Sequence, residues 1–415
     1  MTAGPAPRSY FGLDTVEISR MERLLRDRTN TELGDLFTQA ELEDARLGSG
    51  KAASLAARFA AKEACLKLFP RETALGVIDP VDFSVSRNAY GEPLVKVSAR
   101  AQAVLDRHRL EGLRVSLTHT PSAASAIVWA DRRETQVPWF GKLLYHLLPY
   151  RRAVVLGNLR RVFGHVLPET EIVRLAQAYY AHYVRFLLEF IRQPFMTSKQ
   201  RDAWVKVENI ESPIRAHGWG KGVFLLTGHF GNFEVATVAA IARLPKYRGL
   251  VHFIRRALKP AWFNSIITWR FRRAGLGTFS KRGSLEAIFD VLNRGGLIVY
   301  IFDQHAGAPD GITVDFFGHP AGTFKSLAIL ALETGAPVIP VSSWREPSGT
   351  HVIRFEEPLP LLESEDPSEA IHRNTRAYNE ALERLLLRHP EQWIWMHRRW
   401  KVRAPAQPAS YAAPA

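Results

Sequence analysis

His229 and Glu234 are spaced for proton chemistry within the stretch Gly228-His229-Phe230-Gly231-Asn232-Phe233-Glu234. An imidazole held by a carboxylate is the base needed to take a proton from an alcohol. On one continuous helix, residues five apart diverge by roughly 140°. The two side chains therefore meet only if His229 closes a strand and Glu234 opens a helix. The flanking residues predict that order. Apolar Val223-Phe224-Leu225-Leu226 comes before, a helix-like run from Val235 to Leu244 comes after, and two glycines ease the bend. The same pattern also suits a plain strand-to-helix turn, with Asn232 as cap and Glu234 facing the helix dipole.

Such residues need elements to position them. Glu171 to Ile191 reads as a long helix. Leu250 to Ile254 reads as a strand running into Arg255 and Arg256, and Ser284 to Leu292 as a helix. Leu297 to Phe302 is an unbroken apolar strand ending at Asp303-Gln304. A helix from Phe324 to Glu333 and a strand from Val338 to Val341 follow. Apolar strands alternating with helices predict an α/β domain, a sheet covered by helices on both faces. Functional residues in such sheets gather at the C-terminal ends of strands. His229, Arg255 and Asp303 all fall at such ends, which predicts one cleft.

The upstream pattern differs. Ser9 to Asp14 reads as a short strand, and Thr15 to Arg28 has helical spacing with Arg20, Arg23 and Arg26 on it. Ala53 to Phe69 reads as an Ala-rich helix. Strands at Val81 to Val85 and Leu94 to Val97 flank the turn Asn88 to Pro93. Another pair, Arg114 to Leu117 and Ala126 to Trp129, flanks His119-Thr120-Pro121. This is an α+β pattern.

The chain has 415 residues, 46% hydrophobic and 23% charged, enough for two or three globular domains. Its single cysteine, Cys65, excludes an internal disulfide and fits a reducing compartment. Met1 to Arg8 is Pro/Ala-rich and lacks the apolar core of a secretory signal. No uninterrupted apolar run approaches the roughly 20 residues that span a bilayer. Residues 1–135 are nearly neutral, with 19 Lys and Arg against 18 Asp and Glu. The remainder, 36 against 23, carries almost all of the net +14. Such a surplus attracts nucleic acid, anionic lipid or an acidic carrier protein. The chain holds no nucleic-acid-binding motif. Between the parts, Trp139, Phe140, Leu143, Leu144, Leu147 and Leu148 form one apolar helical face between Pro138 and Pro149. Ten residues span about 15 Å, so this segment fits a membrane interface or packs on a core, and cannot cross.

Several motifs carry a resemblance. Gly12-Leu13-Asp14-Thr15-Val16-Glu17-Ile18, Arg58-Phe59-Ala60-Ala61-Lys62-Glu63-Ala64, Asn88-x-x-Gly91-x-Pro93 and Ser116-Leu117-Thr118-His119 occur in order. Together they resemble the holo-[acyl-carrier-protein] synthase type of 4′-phosphopantetheinyl transferase. The resemblance implies that Asp14 and Glu63 bind Mg²⁺ with the pyrophosphate of coenzyme A, the phosphopantetheine donor. Mg²⁺ does take one or two carboxylates plus phosphate oxygens. Lys62, Lys67 and His119 are the accompanying substrate contacts. The resemblance also implies a trimer through this domain. Read by themselves, Glu63 and Lys67 are an i,i+4 helix pair and Asp14 is a cap.

Downstream, His229-x-x-x-x-Glu234, Arg255, Asp303-Gln304, Phe316-Phe317-Gly318-x-Pro320-Ala321-x-Thr323 and Pro390-Glu391-Gln392-Trp393-x-Trp395-x-His397-Arg398-Arg399-Trp400-Lys401 resemble the lipid A biosynthesis lauroyl/myristoyl acyltransferases, within the lysophospholipid acyltransferase superfamily. Those enzymes usually begin with a transmembrane helix, for which this chain has the first domain and a short amphipathic segment. The resemblance makes His229 the general base against an acyl thioester and Glu234 its orienting partner. Arg255, Asp303 and Gln304 contact the acceptor. Backbone N–H groups at Gly231 and Asn232 are candidate oxyanion donors, and Trp393, Trp395 and Trp400 suit an interface belt or a core.

The expected protein is a bifunctional transferase of fatty acid and lipid A biosynthesis. Residues 9–131 form an α+β phosphopantetheinyl transferase-like domain. Residues 132–150 are a linker and interfacial segment, and 151–403 an α/β acyltransferase-like domain with a mixed sheet. Residues 1–8 and 404–415 are disordered tails. One domain moves phosphopantetheine from coenzyme A to acyl carrier protein. The other moves an acyl chain from acyl-carrier protein to a lipid or glycolipid hydroxyl, at the cytoplasmic face of a bacterial inner membrane and without a transmembrane helix. The alternative keeps the first domain as a non-catalytic docking module for the carrier.

Overall fold

The computed structural model describes residues 9–46, 50–148, 150–255, 259–280 and 284–401. Both expected tails, Pro149 and Arg256 lie outside them. The chain divides into two compact units, residues 1–135 with 163–168, and residues 136–162 with 169–415.

The first unit is α+β. Strand β1 (Ser9–Glu17) leads into helix α1 (Ile18–Asp27), and helix α2 (Lys51–Leu66) follows. A hairpin of β2 (Phe83–Arg87) and β3 (Pro93–Val97) precedes β4 (Leu110–His119) and β5 (Ala123–Arg132). The main sheet has the antiparallel order β1-β5-β4. The strand runs further than its residues suggest, through Glu17, because β5 offers partners as far as Ala123. Helix α1 therefore starts at Ile18 and not at Thr15. Helix α2 lies on β1 and β5 through small side chains. Ala56, Ala60, Ala61 and Ala64 are fully buried, and Cys65 beside them has its thiol pushed up to about 12 by burial. A Cβ on Gly12 would stand 1.8 Å from the Ala64 carbonyl oxygen, so only glycine lets β1 approach α2 this closely.

The second unit is α/β. Helix α3 (Trp139–Leu147) packs on the long helix α4 (Glu169–Arg192), with Gly141 against Gln177 and Ala181. A seven-stranded sheet comprises β6 (Val205–Glu208), β7 (Val223–Thr227), β8 (Val251–Arg255), β9 (Gly277–Ser280), β10 (Leu297–Ile301), β13 (Val338–Arg345) and β14 (His351–Phe355). Strands β11 (Gly311–Phe316) and β12 (His319–Phe324) form a separate hairpin. The sheet order is β6-β14-β13-β7-β10-β8-β9, parallel except for the β13–β14 pair. Helices α5 (Phe233–Arg243) and α6 (Ala261–Ala274) cover it. Val223, Leu225, Val251, Phe253, Leu297, Val299 and Ile339 pack beneath Ile241, Ile267 and Phe271. Burying each such side chain contributes about 1.5–3 kcal/mol, which makes this layer rigid enough to hold what protrudes from its edge.

Candidate active sites

Strands β7 and β10 are parallel neighbours with Thr227 opposite Ile301. Two residues beyond each partner stand His229 and Asp303, so the register itself brings them face to face. His229 Nδ1 and Asp303 Oδ1 are 2.8 Å apart. Asp303 Oδ2 accepts from the His229 backbone N–H at 2.7 Å and from the Trp393 indole N–H at 2.8 Å. A carboxylate with three donors stays ionised. Burial would raise the Asp303 pKa, but the His229 charge and these hydrogen bonds hold it at about 2. Burial lowers the His229 pKa, and the Asp303 charge and hydrogen bond more than offset that, so the net shift is upward. With Nδ1–H donated to Asp303, Nε2 keeps its lone pair.

The partner of the imidazole is therefore Asp303 and not Glu234. Among the described residues no hydrogen bond joins Glu234 to His229. Glu234 opens α5 as expected, half-buried. Its pKa is raised by burial against the opposing pull of Arg255, then Arg270, then His229. It serves as the counter-charge between cations. Arg255, at the end of β8, has a buried Nη1 without a hydrogen-bond partner among the described residues. Gln304 is exposed at the rim.

The turn between β7 and α5 is locked from behind. Gly231 has φ +55°, and a Cβ there would meet the Ser343 carbonyl oxygen at 2.6 Å. Its N–H donates to the Gln392 carbonyl at 2.9 Å, so it is not available as an oxyanion donor, against expectation. The Asn232 side chain caps α5 by accepting from Val235 N–H, and its amide donates to Glu189 Oε2 at 3.0 Å. Glu189 pairs with Arg345 at 2.9 Å. Trp393 and Trp395 are buried, which settles them as core and not as an interface belt. Phe230 makes an isolated bridge with Trp393. The Asn158 amide donates to the carbonyls of Trp395 and His397.

A cavity of about 660 Å³ opens beside His229. Gly231, Phe233, Glu234, Arg255 and Gln304 line it with aromatic residues of α4 and α6. A second, apolar cavity lies between α5 and the sheet, lined by Leu225, Ile241, Val299, Val341 and Phe355 among others. Phe233 and Phe253 border both.

In the first unit, Asp14 on β1 and Glu63 on α2 face the same place. Burial raises the Glu63 pKa, and the like charge of Asp14 raises it further. Lys67 Nζ lies 2.7 Å from Asp14 Oδ1 and 2.9 Å from the Leu13 carbonyl. Its ion-pair partner is Asp14 and not Glu63. His119 is exposed at the end of β4. Among the described residues no group of three His, Cys, Asp or Glu is arranged for a metal. Two carboxylates suffice only where substrate oxygens complete the shell.

Lys62 does not stand on the surface beside Glu63. It is fully buried, 2.8 Å from Glu41 Oε2 and 2.6 Å from the Phe83 carbonyl. Glu41 also accepts from the Val85 and Thr38 backbone N–H groups. Lys62 thus ties α2 to β2. Lys62→Met leaves the Glu41 charge buried alone, and chemical denaturation should show the first unit losing about 3–5 kcal/mol. A normally stable variant with weakened coenzyme A binding would restore the phosphate-contact role.

A carboxylate-held histidine thus stands beside a large cavity, and a carboxylate pair lies on a separate α+β unit. Residues 131–402 match the family described as bacterial lipid A biosynthesis acyltransferase, and residues 10–120 match the 4′-phosphopantetheinyl transferase superfamily. The chain belongs to both, as an acyltransferase fused to a holo-[acyl-carrier-protein] synthase. It is 37% identical over 121 residues to the holo-[acyl-carrier-protein] synthase of Trichlorobacter lovleyi, covering 28% of this chain and 93% of that one. It is 22% identical over 272 residues to the lipid A biosynthesis lauroyltransferase of Escherichia coli, covering 65% of this chain and 86% of that one. Among solved structures, Helicobacter pylori holo-[acyl-carrier-protein] synthase in complex with coenzyme A is similar at 24% identity. That match covers 29% of this chain and 99% of that one, with a TM-score of 0.25.

Proposed function

We propose that the second unit transfers an acyl chain from acyl-carrier protein to a hydroxyl of a lipid or glycolipid, with His229 as general base and Asp303 as its orienting partner. The observation that carries this is the 2.8 Å His229–Asp303 pair at the wall of the large cavity. Nε2 takes the acceptor proton as the oxygen attacks the thioester carbonyl, and returns it to the carrier-arm sulfur as the C–S bond breaks and the thiol leaves. The apolar cavity under α5 suits the acyl chain. Arg255, with its unpartnered Nη1, suits an anionic acceptor group, and Glu234 keeps that guanidinium in place.

The first unit, in this proposal, moves phosphopantetheine from coenzyme A to the same carrier. Asp14 and Glu63 would hold Mg²⁺, with Lys67 displaced from Asp14. The ion would neutralise pyrophosphate charge. The mutual repulsion of the two carboxylates supports a cation between them and favours an active enzyme over a docking module. Exposed Phe11, Leu13 and Ile127 on the sheet supply the face at which copies of this unit would form the trimer. No described helix is long and apolar enough to cross a membrane. The exposed Trp139, Leu143 and Leu147 of α3 favour peripheral attachment to the inner membrane's cytoplasmic surface.

Mass spectrometry of lipid extracts incubated with the purified chain and acylated carrier tests the acyl reaction. A lipid gaining one acyl mass is expected, and its absence with every extract would count against the proposal. The rate should fall as pH drops through the raised His229 pKa, because protonation removes the base. Asp303→Asn removes the charge that raises that pKa, so the acid limb should move to lower pH. An unmoved limb would separate Asp303 from the titrating group.

A further inference from the structure

The outward faces of α4 and α6 carry large apolar side chains that stand exposed. On α4 these are Leu188 and Ile191, with Phe195 just beyond at 84% exposure. On α6, Trp262, Ile266 and Trp269 recur every three to four residues and are 65%, 42% and 55% exposed. The two helices are neighbours. The Phe190 and Phe263 rings lie 5.9 Å apart, and Arg270 donates to the Phe190 carbonyl at 2.9 Å. Their inner faces line the large cavity through Phe186, Phe190, Phe263 and Ile267. Leu187 does both, lining the cavity and standing exposed. The apolar surface thus runs from outside into the chamber that holds His229.

The charges around it are mainly basic, with Asp202 the exposed acid at its far end. Helix α6 has exposed Arg272 and Arg273 and no acid, its third arginine, Arg270, being buried against Phe190. From Tyr183 to Arg201 the basic residues are Arg185, Arg192, Lys199 and Arg201. The one acid before Arg201, Glu189, is turned inward to Arg345. Tryptophan and leucine beside arginine on adjoining helices is the composition that settles in the headgroup layer of an anionic bilayer. A soluble acidic partner would need the cations but not two exposed indoles.

We infer that α6 and the C-terminal half of α4 insert into an anionic membrane surface, with the mouth of the catalytic cavity against the leaflet. The acceptor then enters sideways, keeping its acyl chains out of water. This rests on the reading that the second unit acylates a lipid, and it extends the bilayer contact well beyond α3.

The test uses the full chain and vesicles of equimolar phosphatidylglycerol and phosphatidylcholine. Partition should exceed that onto pure phosphatidylcholine. Trp262→Glu with Trp269→Glu should lower it by on the order of tenfold or more. Trp262→Phe with Trp269→Phe should still bind but lose part of the fluorescence quenching by brominated lipid, a readout that does not depend on a destabilised variant. Equal quenching in the Phe pair, or undiminished binding by the Glu pair, overturns the inference. So does loss of binding only in Leu143→Glu with Leu147→Glu, or a Glu pair that loses only its affinity for soluble acyl-carrier protein. Failure of acyl transfer in detergent, with vesicle binding intact, would instead refute the acylation reading alone.

Discussion

His229→Ala is expected to slow acyl transfer by ~10²–10⁴-fold, the usual worth of a positioned base, with phosphopantetheine transfer by the same molecule unchanged. The second comparison is sharper. Asp303→Asn should cost more in kcat than Glu234→Gln, because Asp303 fixes the imidazole through Nδ1 and also binds the backbone of the same residue. Glu234→Gln should act mainly on KM for an anionic acceptor, since it loosens the site around Arg255. Steady-state rates on the three variants decide it. Near-normal transfer by His229→Ala would remove the histidine from the mechanism. A kcat loss for Glu234→Gln exceeding that for Asp303→Asn would return the orienting role to Glu234.

In the first unit, Asp14→Ala or Glu63→Ala should each abolish conversion of apo carrier to holo carrier, read as gain of the phosphopantetheine mass. The parent reaction should require Mg²⁺ and stop with EDTA, since neither carboxylate alone holds an ion that keeps most of its shell from phosphates and water. Carrier binding should survive in both variants, because exposed Arg20, Arg23 and Arg26 on α1 supply a separate basic face. A parent chain that binds carrier and never adds the mass would establish the docking module instead.

The sequence made the strand–turn–helix around His229 visible, because glycine placement and apolar runs are local signals. It also put His229, Arg255 and Asp303 at strand ends. Their partnership was not visible, because it depends on β10 lying between β7 and β8, a matter of sheet order. Spacing favoured Glu234, five residues away, over Asp303, 74 residues away. The burial of Lys62 was hidden for a related reason. A lysine beside a motif glutamate reads as a surface cation, and its true partner, Glu41, has no sequence signal marking it as buried. Trp393 had the signal of an interfacial tryptophan but supplies an indole N–H to Asp303. The mixed sheet was legible as a class, whereas β6, β9, β14 and the β11–β12 hairpin were too short or too polar to stand out.

The donor that Trp393 gives to Asp303 also sets an order of assembly. It comes from ninety residues downstream of the carboxylate it steadies, and the neighbouring Gln392 closes the turn beside His229 through the Gly231 N–H. On the ribosome, the first unit's sheet, β1 to β5, can pair as soon as β5 has emerged. The acyltransferase site must wait for one of its last-made segments. On the proposed activities, a newborn chain becomes competent to arm the carrier before it becomes competent to unload it.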